Sequence, residues 1–183
     1  LGTRLGYGSR AWVGSAPLLM RVLPLGLVPG PRGRLAALRG RAGSRDGGSR
    51  IVVGSSTFNA PQDVLSLSFS DDTEVTGSAV FAGYGIVVPE SQNFGYDSYA
   101  TVDVKDKVVI VLRYFPEDAD QQTKAILARY ADLRYKAMAA RQHGAKALIV
   151  VTGPRSPNAG QTVPMSFDTA IAGSGIPAAS VSE

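Results

Sequence analysis

Two short runs of unbroken aliphatic residues limit the folds open to this chain. KVVIVLR (Lys107–Arg113) and AKALIVVT (Ala145–Thr152) are apolar at every second position and also between. A strand that is apolar on both faces belongs inside a covered sheet rather than at its edge. The segment between them reads as helix. Asp118 or Asp120 is placed to cap it, and Ile126, Tyr130, Leu133, Ala137 and Ala140 recur at spacings of four and three. Asp132 and Lys136 form an i,i+4 pair on the outer side, and Gly144 stands where a helix C′ glycine belongs. Strand, crossover helix and strand predict a βαβ unit with parallel strands and a right-handed crossover.

Further strands flank this unit. DVLSLSFS (Asp63–Ser70) alternates, with Leu65, Leu67 and Phe69 on one face, as in a half-buried strand. GSAVFAGYGIVVPES (Gly77–Ser91) predicts a strand pair, or one strand bent at Gly83 and Gly85 and ended by Pro89. SQNFGYDSYATVDVKD (Ser91–Asp106) carries turn chemistry, and GIPAASVSE (Gly175–Glu183) predicts one more strand. The residues alone give a β-rich α/β or α+β domain that reads as truncated at its C-terminal end.

Charge is divided unevenly. Residues 1–50 hold nine arginines and one acid, Asp46, whereas residues 51–183 hold ten basic and fourteen acidic residues. The net +4 therefore belongs to the first fifty residues, and the rest is mildly acidic. In residues 1–50, Gly, Arg and Leu fill 29 positions and no hydrophobic period persists, so this stretch is expected to be an irregular leader. A disordered segment or a second reading frame of GC-rich DNA accounts for such a vocabulary. An arginine arm for nucleic acid is disfavoured, because aromatic interleaving stops at Tyr7 and Trp12. Residues 51–76 then form a lead-in strand region, and 77–183 the main domain. The longest apolar stretch, Ala16–Gly30, is cut by Arg21, Pro24 and Pro29, which predicts neither a membrane span nor a clear signal peptide.

Few residues suggest chemistry. Without cysteine there is no disulfide, thiolate nucleophile or cysteine-bound zinc. His143, the one histidine, cannot supply a two-zinc site, and its place in the last helical turn suits a structural role. FAGYG (Phe81–Gly85) offers Gly-x-Gly after a strand, but the third glycine of a dinucleotide loop would be Val88, and Pro89 stands where a helix should start. Asp97, Asp103 and Asp106 lie six and three apart with Lys105 and Lys107 interleaved. That spacing differs from a calcium loop and the lysines oppose a cation, which leaves turn residues leading into a strand. Ser156, Asn158 and Gln161 are loop polars without a specific signal. No catalytic, cofactor-binding or metal-binding residue is assigned from composition and spacing.

Three segments in order, GYGIVVPESQNFGYDSYATVDVKDKVVIVL, RYKAMAARQHGAKALIVVTGP and IPAASVS, resemble the protease-associated (PA) domain. The likeness is to the form inserted in secreted two-zinc aminopeptidases of bacteria. It implies a small open barrel or sandwich with flanking helices, which serves as a lid or substrate-access element beside a metallopeptidase site. It further implies that zinc is bound by a separate catalytic domain after residue 183, that this segment alone is inactive, and that the parent is secreted or periplasmic. The implied partners are the intramolecular peptidase domain and a peptide or protein substrate, not nucleic acid or membrane. The alternative is a free-standing PA-type binding module of another protease or a sorting receptor. Residues 1–50 lack the acid-containing helical pattern that the resemblance would place upstream.

Overall fold

The computed structural model describes the backbone of residues 34–39 and residues 48–90, 94–164 and 173–182. The strands are β1 (Arg34–Arg39), β2 (Arg50–Val53), β3 (Ser56–Asn59), β4 (Val64–Ser66), β5 (Glu74–Phe81), β6 (Val87–Val88), β7 (Tyr96–Asp97), β8 (Val108–Leu112), β9 (Ala147–Val151) and β10 (Ala178–Val181). Helices α1 (Gln121–Ala128) and α2 (Leu133–Gln142) both lie between β8 and β9. Among the described residues eight strands run edge to edge as β3-β2-β1-β5-β8-β9-β10-β4, and β6 and β7 form a separate ribbon. The neighbours β5, β8, β9 and β10 are parallel, whereas β4 and β1 join them antiparallel. This is the β-rich mixed α/β architecture expected from the sequence, with the βαβ unit at its centre.

The two aliphatic runs explain that centre. Every residue of β8 and β9 is buried. Val108, Ile110 and Leu112 join Ile149 and Val151 on one face, where Leu127 of α1 packs. Val109, Val111, Leu148 and Val150 face the other way, against Ala137, Ala139 and Ala140 of α2. Each large aliphatic side chain removed from water here contributes about 2 kcal/mol. The small alanines let α2 approach the sheet closely.

The crossover departs from the single helix predicted. Two helices form because Asp132 caps the second: its carboxylate accepts the Tyr135 N–H at 3.1 Å. Asp120 caps the first in the same way. A side chain that satisfies free N–H groups makes a new helix start at Asp132 cheaper than continuing the old one. Asp132→Ala should therefore destabilise the fold by about 1 kcal/mol, read as a lower denaturant midpoint; an unchanged midpoint would show that the cap is not used. Gly144 does end α2, at φ +86, with Ala145 N–H donating to the Ala140 carbonyl.

Three other expectations need correction. Asp63–Ser70 is strand only over Val64–Ser66, and its fully buried members are Val64 and Ser66, not Leu65. The chain then turns, with Ser70 N–H donating to Leu67, which buries Leu67 and Phe69 outside the ladder. Arg34–Arg39, inside the stretch expected to be irregular, forms β1 between β2 and β5. Neighbours on both sides take up its backbone groups, which no local period could reveal. The boundary placed between residues 76 and 77 falls within β5. The disordered or second-frame reading of residues 1–33 and 40–47 lies outside the described residues.

Candidate functional site

The aspartates ahead of β8 do not converge. Asp97 accepts the Tyr99 N–H at 2.7 Å and sets a turn. Asp103 accepts the Lys105 N–H at 3.1 Å and the Lys107 ammonium at 2.6 Å, and the Lys107 hydrogen bond holds its carboxyl below the usual range. Asp106 sits at φ 60, donates its N–H to Gly144, and lies 3.5 Å from the Lys146 ammonium. Each carboxylate is used by a local partner.

His143 caps α2, with Nδ1 2.8 Å from the Ala139 carbonyl. Its ring stacks on Tyr99 at 4.5 Å, and Nε2 lies 4.0 Å from Asp97. The fold thus brings Asp97 and His143 together across 46 positions of sequence. Two donors are fewer than a zinc site requires. Among the described residues no group of three or more His, Cys, Asp and Glu side chains is placed to hold a metal ion. FAGYG is a bend: Gly83 and Gly85 have φ of 57 and 61, Gly85 N–H donates to Ala82, and β6 follows instead of a helix.

A polar and aromatic rim forms where β8 and β9 end. In parallel sheets the carboxyl ends of the strands are where loops assemble binding sites. After β9, Ser156 donates to Glu117 at 2.5 Å, and Asn158 donates to the Tyr114 hydroxyl at 3.3 Å. Loops 113–120 and 153–164 are thereby tied to each other. Charges on both loops act on Tyr84, whose hydroxyl is pushed up to about 12 by burial, then by Glu117 and Asp118 and by Tyr96, with Arg155 opposing. Tyr96 brings in the β6–β7 ribbon, which Tyr135 fastens to α2 through a 2.9 Å bond to the Val87 carbonyl. Among the described residues the Ser156 hydroxyl is bonded to Glu117 and not to His143, from which β9, about 16 Å long at its usual rise, separates it. The rim suits binding and contact.

Sequence reasoning missed Lys136. The i,i+4 spacing from Asp132 predicts an outward Lys136, but it is 0% exposed, and no ion pair among the described residues includes it. Its ammonium donates to the carbonyls of Leu112 at 2.8 Å and Tyr114 at 2.5 Å, and lies 5.8 Å from the centre of the Tyr84 ring. The physical reason lies in the sheet. Leu112 N–H donates to Gly83, so Leu112 faces the β5 side, and there β5 has already turned away. The ammonium replaces the missing strand partner. Burial depresses its pKa to about 7, with Asp132 acting the other way.

A family model for the PA domain matches residues 71–183. The chain belongs to the PA domain family. Strands β5 to β10 and both helices, including the rim and Lys136, all fall within that PA domain. Among solved structures, it is similar to an aminopeptidase from Aneurinibacillus sp. strain AM-1, with 16% identity and a TM-score of 0.45. That similarity covers 80% of this chain and 27% of the aminopeptidase chain. No curated protein matches it.

Proposed function

We propose that this PA domain is a non-catalytic part of a secreted or periplasmic zinc aminopeptidase, placed beside the peptidase site as a lid or substrate-access element. The observation that carries the reading is the rim: two hydrogen bonds join loops 113–120 and 153–164 where the buried strands β8 and β9 end, and groups of both loops and Tyr96 of the β6–β7 ribbon act on Tyr84. Aromatic and polar groups on a fixed scaffold suit contact with a neighbouring domain or a peptide. The ordered segments from Gly83 to Ser182, which resemble the inserted form of the domain, support the peptidase as that neighbour.

Zinc does not fit the described residues, since Asp97 and His143 form only a pair. Its ligands belong, in this reading, to the peptidase domain. The purified 183-residue chain is therefore expected to release no product from an aminoacyl reporter, with zinc or without it. Stoichiometric zinc binding accompanied by hydrolysis would overturn the proposal.

A further inference from the structure

We propose that Lys136 is a proton-operated latch beneath the rim: taking up a proton favours opening of the bend at Arg113–Tyr114, and losing it lets the rim close. Three observations carry this. First, the Lys136 nitrogen is fully buried, and its partners are neutral: two main-chain carbonyls and the face of Tyr84. A charge buried without a counter-ion is costly, and exposure to water relieves that cost. Second, the lid over it is strained. Tyr114 holds φ +66, a left-handed backbone that a bulky side chain rarely adopts, so leaving the bend relaxes the chain as well. Third, the bend is wired to the rim, since the Tyr114 hydroxyl accepts from Asn158 and the next loop turn carries Glu117 onto Ser156.

The groups around the latch do not remove the effect. Asp132, on the same helix, is spent on the Tyr135 N–H. Arg113, at the end of β8, stacks over the Tyr114 ring at 4.7 Å. From the β5–β6 turn comes Tyr84, on which Glu117, Asp118 and Arg155 act. With the bend closed the lysine sheds its proton near neutral pH, and with the bend open it regains the proton affinity of a solvated amine. Linkage then requires acid to favour the open form.

The test is amide hydrogen exchange of the 183-residue chain between pH 6 and 8.5, corrected for intrinsic rates, beside Lys136→Met. In the wild type, protection of residues 112–120 should rise by up to tenfold per pH unit above neutrality. In Lys136→Met it should not change with pH. Constant protection in the wild type, or the same rise in the variant, would overturn the latch. Should the variant not fold, the wild type still decides. With lysines labelled at Cε, one resonance must titrate near neutral pH together with shifts in the Tyr114 ring signals. A near-neutral lysine without those shifts, or no such lysine, sinks the proposal.

Discussion

Gly85→Val will destabilise the fold by about 3 kcal/mol, whereas Gly83→Ala, two residues away, will cost about 1 kcal/mol. Both glycines have positive φ, 57 at Gly83 and 61 at Gly85, so any side chain at either one meets the left-handed backbone penalty. They differ in what surrounds them. A Cβ at Gly83 meets nothing within 4 Å, but one at Gly85 comes within 2.6 Å of Val111 Cγ1 and 3.2 Å of the Tyr99 hydroxyl. Val111 is fully buried in the central strand and has no space to withdraw. Valine adds β-branching to that clash. Urea midpoints at constant slope give the comparison. Equal losses at the two sites would show that contact with Val111 is not what requires glycine at position 85.

The wild-type chain will gain stability between pH 7 and 9.5, with a slope of up to about 1.4 kcal/mol per pH unit, and Lys136→Met will lose that slope. The sign follows from the lysine alone. Unfolded, it keeps its proton up to an ordinary value of 10.5, whereas folded it releases it at about 7. Between those values the unfolded chain binds more protons, so raising the pH favours the fold. Below pH 7 the full cost of the buried ammonium is present, and above 10.5 it is gone. Tyr84 acts oppositely above pH 10, because its folded hydroxyl is held up at about 12, which is why the window closes at 9.5. Methionine leaves the carbonyls of Leu112 and Tyr114 without their donor, so the variant should be the less stable protein at pH 9 and compare better at pH 6. Parallel stability curves for the two proteins would refute the assignment.

Lys136 also shows how far residue patterns reach. It stands three positions after Leu133 and four before Ala140, so helical spacing alone puts it on the buried face. The neighbouring Asp132 concealed this, because an acid and a base four apart also describe a solvated pair. What decided between the two readings was a distant event. β5 turns off at Gly83, the carbonyls of Leu112 and Tyr114 are left without a ladder partner, and the ammonium takes the place. The rim contacts were equally hidden, since Glu117 and Ser156 are 39 positions apart.

By itself, the sequence determined the central βαβ unit, the end of α2 at Gly144, and the bend at Gly83 and Gly85. Each of these rests on short-range causes: aliphatic runs, helical spacing and backbone conformations that glycine tolerates. The strand at Arg34–Arg39, the short β4, the Asp97–His143 pair and the buried amine of Lys136 were decided only by the tertiary structure. In those places hydrogen-bonding groups found partners distant in sequence, or one local preference outweighed another, and neither outcome is written in the spacing of neighbouring residues.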